Sequence, residues 1–452
     1  MTILTEPVIE ERVVLGKIWS AVSVGFCLLT HENRQYVAYY NADRRMVVGQ
    51  RDLSDDSFTQ MILPSESPNP PNRGKLTSTI QGWDSHNSIT MVIDKEGHIH
   101  LSGNMHVDPL LYFRTEKPHD ITTLIQVKSM VGKNETRCTY PHFMTGPNGN
   151  LLFHYRDGWS GNGVEMYNVY DTKTRTWSRL FNPSLISGQG KRNAYQRGPK
   201  LGPDGWYHLL WMWRETNDAS TNHDVSYARS RDFLHWENAA GEPLKLPITL
   251  ESPGTIIDPV PVNGGIINTV HRFGFDSQNR VVVSYHKHDQ AGNTQAYAAR
   301  FEDGAWMVKP VSDWEGRHIF KGGGSGPSTY GTSIGLGTVK QHGEGTLALP
   351  FRHWQEGHGL LVFDEETFTR IGVEPETKQP PKYPAALTKV QSKFPGMRVK
   401  LRGDTGRSPD PSVHYVLRWE TLGPNRDRPR QEPLPENSDL VLYKLGNPEK
   451  EK

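Results

Sequence analysis

Short apolar runs, most of them five to nine residues long and rich in Val, Ile, Leu, Tyr and Trp, recur along the chain and are cut by Gly, Pro, Asn and Asp. That pattern predicts strands joined by tight turns rather than amphipathic helices. The clearest pair runs from Ser88 to Asp94 and from Ile99 to Gly103, with Asp94-Lys95-Glu96-Gly97 as the turn. Antiparallel pairing around a central turn puts His86, before the first strand, and His106, after the second, at one open end. The layout repeats with Tyr140 and Arg156 around Gly146-Pro147-Asn148-Gly149, and with Tyr195 and Arg214 around Gly202-Pro203-Asp204-Gly205. It repeats again with His271, His286 and His288 around Asp276-Ser277-Gln278-Asn279. Each unit therefore delivers polar, titratable side chains to one rim.

Six second strands of such units stand out, at 36–40, 98–103, 150–156, 206–214, 280–286 and 346–354. Third strands with an aromatic residue and a polar turn follow, as in 166–177, 225–236 and 296–306, with weaker versions at 110–115 and 360–368. Four strands per unit and a period of about 50 to 75 residues are the signature of a propeller blade. Segments 398–402, 414–422 and 439–445, with an N-terminal strand around Arg12 to Ile18, supply a seventh unit that joins the chain ends. Closure would remove the exposed edges of an open array. The expected fold is all-β, a seven-bladed β-propeller of four-stranded antiparallel blades. The whole chain, 1–452, reads as one domain, with 373–452 as loops plus the closing blade. Segments 64–82, 373–397 and 421–438 read as loops, and Gly322-Gly323-Gly324-Ser325-Gly326 as a flexible connection without the Lys of a P-loop.

Composition narrows the picture. The 43 Gly, 32 Pro and 12 Trp suit many turns and aromatic packing. A net charge of +1, from 51 basic and 50 acidic residues, gives no global field for nucleic acid or an anionic membrane, so an anionic ligand must be met by local Arg, Lys or His. Cys27 and Cys138 cannot make a disulfide framework and read as buried thiols. The first residues carry no signal-peptide pattern and no apolar run spans a bilayer, so the protein is expected to stay in the cytoplasm unless an export signal was removed; a monomer is expected.

The rim group of His86, His106, Tyr140 and Arg156 combines groups that move protons near neutral pH with a guanidinium that holds a carboxylate. It suits abstraction of the proton beside the carboxylate of a uronic acid, followed by β-elimination of the linked sugar. No metal, nucleotide or redox cofactor is needed. Taken singly, a rim histidine is more often an ordinary surface residue, and Arg156 half of an ion pair with Asp157.

The stretches WDSHN, IDKEGHIHLSGNMH, TYPHF, LLFHYRDGWSGNG and NAYQRG to SYARS resemble the BNR-repeat seven-bladed propeller lyases, notably the ulvan lyases. The resemblance covers residues of roughly 20 to 370 and implies a catalytic group at His86, His106, Tyr140 and Arg156. Arg156 would neutralise the uronate carboxylate, and Tyr140 and a histidine would share acid and base duties. Whether His86 or Tyr140 takes the proton stays open, and His106 binds or orients. Asn87, Trp159, Tyr195, Arg214, Arg352 and His353 are candidate sugar contacts. A second cluster, His223, His271, His286 and His288, is a candidate structural zinc site, since neutral imidazoles suit zinc and related lyases carry one. Its alternative is a polar blade junction or sugar binding.

Two other functions compete. Ser230, Asp232 and Trp236 resemble the Asp-box turn of sialidase-type propellers, which allows a glycoside hydrolase. The fold also hosts carbohydrate-binding propellers without activity. Acidic residues are scarce on the rim hairpins and histidines abundant, which favours the lyase. Ultraviolet absorbance of the conjugated elimination product distinguishes it from hydrolysis.

Overall fold

A computed structural model describes residues 6–68, 70, 76–323, 328–330, 333–376 and 380–447, with only the backbone of 328–330. Gly324, Ser325 and Gly326 of the glycine-rich run, and parts of the loops 64–82 and 373–397, lie outside the described residues. The described chain is strand and turn, with one four-residue α-helix at Ala385–Thr388 and isolated 3₁₀ turns. No described helix is long and apolar enough to cross a membrane.

The contacts divide the chain into two compact units. The first comprises 1–158, 167–179 and 378–452, the second 159–166 and 180–377.

In the first unit, Cys27–His31, Arg34–Tyr40, Met46–Asp52 and Thr59–Ile62 form one antiparallel sheet in that order. A second sheet orders Leu124–Gln126, Tyr112–Thr115, Ile99–Gly103 and Ile89–Ile93. In a third, Cys138–Thr145 lies between Leu151–Trp159 and the short strand His106–Asp108. A fourth pairs the N-terminal strand Val8–Ile18 with Ser438–Gly446, followed by Val413–Leu422 and Met397–Gly403. The N- and C-terminal strands thus share one ladder, as the apolar spacing predicts.

The second unit carries three sheets built the same way. Asn193–Leu201, Tyr207–Arg214, Asn222–Ser230 and Ile256–Asp258 make one, and Arg272–Phe275, Val281–His288, Thr294–Glu302 and Ala305–Pro310 the next. Ile334–Leu336, Thr346–His353, Gly357–Asp364 and Arg370–Glu374 make the third, with Lys340–Gln341 also on Thr346–His353. In the first of these the fourth strand does not follow Trp236 directly. The chain makes an excursion through 237–255 before Ile256 returns to the sheet.

Second strands are buried on both faces: Leu209 to Trp213 are fully buried, as are Tyr36 to Ala38. That accounts for continuous apolar runs where half-exposed strands would alternate. Aspartates set several of the hairpin turns. The Asp94 carboxylate accepts the N–H groups of Glu96 and His98 at 2.9 Å each, and Gly97 takes the left-handed conformation, φ +84°, that closes the turn. The same carboxylate bonds His100 on the second strand, whose other ring nitrogen meets the Tyr112 hydroxyl at 2.7 Å on the third. Asp204, His208 and Tyr227 repeat the chain of bonds in the second unit. Asp232 caps its turn by accepting from Leu234 and His235 N–H at 2.8 Å, with Trp236 buried beneath, so the Asp-box resemblance is a structural turn. Cys27 and Cys138 are free and buried, and burial pushes the Cys27 thiol up to about 11.

Candidate functional site

All four residues of the predicted catalytic group fall in the first unit, and the structure brings them together. The His86 and His106 rings lie 4.3 Å apart between centroids, and the Tyr140 ring 5.9 Å from His86 and 6.1 Å from His106. The Arg156 guanidinium sits over the Tyr140 ring at 5.1 Å. Ile89–Ile93 pairs with Ile99–Gly103 in uninterrupted register, so the two histidines flanking the hairpin meet at its open end.

Local backbone distortion aims the side chains. Between Thr139 and His142 the register of Cys138–Thr145 against Leu151–Trp159 shifts, which takes Tyr140 and Pro141 out of the ladder as a bulge. Pro141 has no N–H to donate there. Tyr140 has φ +58° and is 39% exposed, while Arg156, paired across from Thr139, is 2% exposed. Val107 holds φ +66°, a strained conformation for a β-branched residue, and Asn104 φ +57°. Both are pinned by hydrogen bonds: Val107 N–H donates to Thr139 Oγ1 at 2.9 Å, and Asn104 Nδ2 to the carbonyls of Ser78 and Ile80. Strain of this kind gathers where a side chain is held for function.

Two carboxylates that the sequence reading passed over complete the group. Asp84 Oδ1 lies 2.7 Å from His86 Nδ1, and its Oδ2 lies 2.5 Å from His106 Nδ1. Asp427 Oδ1 lies 3.5 Å from His86 Nδ1 and accepts from Ser85 N–H at 3.3 Å. The rim is therefore not poor in acidic groups; its acids are bound to its histidines. Burial works against charge on His86, but the hydrogen bonds and charges of Asp427 and Asp84 outweigh it and raise its pKa from 6.5 to about 10. Burial likewise disfavours the Asp84 carboxylate, and the bonds from His106 and His86 override this and hold it well below the usual range.

Arg156 is not the half of an Asp157 ion pair. Asp157 is engaged by Asn134 at 2.9 Å and Arg137 at 3.7 Å, while Arg156 Nε and Nη1 are buried with no hydrogen-bond partner among the described residues. Asn87 is also buried; its carbonyl accepts from Tyr40, and its Oδ1 has no partner among the described residues.

The remaining candidates lie in the second unit. Arg214 stacks over Tyr195 at 5.2 Å, repeating the Arg156 and Tyr140 arrangement, but its Nε and Nη2 already donate to the carbonyls of Thr216 and Asn217. Tyr195 shares a 2.6 Å hydrogen bond with Ser160. Trp159 is 44% exposed and Arg352 is exposed. His353, expected as a sugar contact, is buried rather than presented: it is 2% exposed, its ring lies tilted against Trp354 at 3.8 Å, and its Nδ1 faces the N–H groups of Gln355 and Glu356.

The expected zinc cluster does not form. His223 spends both ring nitrogens on Glu215 and Asp224, at 2.7 and 2.9 Å. His286 and His288 share a strand face, yet the backbone of Gly265 lies across it, accepting from His286 Nδ1 at 2.7 Å and packing so close to His288 that a Cβ would come within 2.5 Å of its ring. His288 turns to Thr294, and His271 is fully buried, its pKa pushed down to about 3 by burial and by Arg197 and Arg272. Among the described residues, the metal-type grouping is instead Asp84, His86, His106 and Asp427, whose ligand atoms lie within 4.8 Å of one another. In that group both imidazole Nδ1 atoms are already paired with Asp84.

A fold of antiparallel four-stranded sheets carrying strained rim hairpins with paired histidines defines an all-β repeat protein. The chain belongs to the BNR repeat-containing family, whose sequence model matches residues 34–314. It is 31% identical over 136 residues to the long-isoform ulvan lyase of Pseudoalteromonas sp. (strain PLSV), an alignment covering 28% of this chain and 14% of that protein. To the short-isoform ulvan lyase of Alteromonas sp. (strain LOR) it is 32% identical over 161 residues, 32% of this chain and 29% of that one. The chain thus spans under a third of the length of these curated relatives. Among solved structures, the polysaccharide lyase Uly1 superposes with a TM-score of 0.56 at 12% identity, over 98% of this chain and 100% of the other. A PL25 ulvan lyase superposes with a TM-score of 0.53 at 14% identity, over 96% of each. At such identities the structural likeness establishes the fold.

Proposed function

We propose that this protein is a polysaccharide lyase that cleaves a uronate-containing, ulvan-like polymer by β-elimination, leaving an unsaturated uronate end. The observation that carries the reading is Arg156: a buried guanidinium with two donor atoms unpartnered among the described residues, beside two imidazoles and a phenol. Burying a cation without an anion is costly, and a carboxylate that pairs with it recovers the loss. The relatives named ulvan lyases, and the PL25 enzyme solved with -[GlcA(1-4)Rha3S]-, support a glucuronate-type residue as the anion.

In this reading the proton beside the uronate carboxylate is acidified as negative charge moves onto the carboxylate oxygens, where Arg156 and the protonated His86 stabilise it. Since His86 keeps its proton at neutral pH, it serves as a cation rather than as the base. Tyr140, exposed and flanked by both positive charges, takes the ring proton. The electron pair of that C–H bond becomes the new double bond, the bond to the linked sugar oxygen breaks, and the departing oxygen receives a proton from Tyr140 or His106. The seven sheets of four or more strands among the described residues are then seven blades of one propeller domain, closed where Val8–Ile18 joins Ser438–Gly446.

The test is digestion of ulvan, pectin-like and glycosaminoglycan polymers, followed by ultraviolet absorbance of the conjugated product. Absorbance should rise with ulvan and be lost in Tyr140→Phe. Shorter chains without absorbance would identify a hydrolase, and binding without any product a carbohydrate-binding propeller.

A further inference from the structure

One carboxylate serves both rim histidines. Asp84 Oδ1 takes the N–H of His86 at 2.9 Å as well as its Nδ1, fixing the Asp84-Ser85-His86 turn, while Oδ2 reaches His106 across the hairpin. The Asp84 side chain is 11% exposed, so water competes weakly for either oxygen. An ionised carboxylate only accepts, and each ring must therefore turn a protonated Nδ1 toward it. Nε2, on the far side of each ring, is left as the edge that a substrate meets. The backbone agrees with this assignment: His106 is held between positive-φ Asn104 and Val107, and its N–H donates to Asp108 at 3.0 Å. Asp427 Oδ1 comes within 3.5 Å of His86 Nδ1 and makes no such close pair with His106, so the two rings are held differently.

We propose that Asp84 is the positioning residue of this site: its two oxygens hold a proton on Nδ1 and fix the aim of both His86 and His106, committing Nε2 of each to the sugar. The proposal rests on the reading of those histidines as catalytic and deepens it. A metal bound by the same four residues is the competing use of the geometry. It would need the Nδ1 lone pairs of both rings, and both nitrogens would have to give up their protons.

Asp84→Asn decides the matter, because an amide offers one acceptor and one donor where the carboxylate offers two acceptors. One imidazole must then present an Nδ1 lone pair and carry its proton on Nε2. In protein labelled with ¹⁵N-histidine, the ring nitrogen spectrum of Asp84→Asn should show one of the two rings switched to the Nε2–H form. The signals are assigned by His86→Ala and His106→Ala. On ulvan, kcat should fall on the order of 10²- to 10⁴-fold with KM changed only a few-fold, and Asp84→Glu should recover part of the loss. Asp427→Asn, which leaves Asp84 in place, should alter the His86 signals and spare those of His106. Unchanged ring spectra in a folded Asp84→Asn protein would overturn the proposal. So would wild-type activity abolished by a chelator and restored by zinc, which would make Asp84 a metal ligand. Full activity in His86→Ala and His106→Ala would instead overturn the lyase reading of the site, while the ring spectra still report on Asp84.

Discussion

Arg156 invites the sharpest substitutions. Lysine keeps the charge but loses the planar fork that meets a carboxylate through two parallel bonds, and alanine removes both. Arg156→Ala should lower kcat/KM on a uronate polymer by on the order of 10²-fold or more, and Arg156→Lys should recover only part of it, both measured by initial rates of ultraviolet absorbance. His86 makes a prediction about stability. Its folded pKa of about 10 stands above the ordinary 6.5, so the folded chain holds a proton that the unfolded chain gives up. The stabilisation is fully present below pH 6.5 and is lost as pH rises to and through about 10. The gap in Tm between the wild type and His86→Gln should therefore narrow steadily over that range, and a constant gap would contradict the ion-pair geometry. Of these residues, His86, His106, Tyr140 and Arg156 were legible from their places at hairpin ends. Asp84 stood two residues before His86 in plain view, but nothing in a sequence says that one carboxylate reaches two rings. Asp427 gave no signal, because it lies 342 residues from Ser85, whose N–H it accepts, in a stretch that reads only as loop.

Hairpins locked by a turn aspartate recur, at Asp94, Asp204 and Asp276. Asp94 holds two backbone N–H groups of its turn and His100 on the returning strand, with His98 and His100 buried. Asp94→Ala leaves those donors unsatisfied and should cost about 1–3 kcal/mol, or more where the imidazole is also orphaned, read as a fall in Tm. The turn residues and the strand lengths follow from local chemistry, which is why the hairpins were predictable. The same local reasoning put His286 and His288 on one face correctly but expected a four-histidine cluster that the fold does not bring together. Whether neighbouring side chains meet a metal depends on what covers them, and here the Gly265 backbone occupies the space. His353 is withdrawn from the surface for a related reason: the turn through Gln355 and Glu356 bonds back to its ring.

The joining of the two chain ends is a property of the entire polypeptide. Val13, Leu15 and Ile18 bury their side chains while Val8–Ile18 covers the edge of Ser438–Gly446. Leu15→Ala should cost about 2–5 kcal/mol. Deleting residues 8–18 should leave an unpaired edge and produce aggregation on heating, checked by light scattering alongside thermal unfolding.

From its amino acids alone the chain fixes an all-β repeat, the hairpin turns, and the open ends where histidine, tyrosine and arginine gather, because these follow from alternation, turn preference and antiparallel geometry over a few tens of residues. Only the folded structure decides that Asp84 and Asp427 close on those histidines, that Arg156 is buried without Asp157 as its partner, and that the second histidine cluster stays apart. Those outcomes depend on which distant segments come into contact and on how much water they exclude, and neither is encoded in the local spacing of residue types.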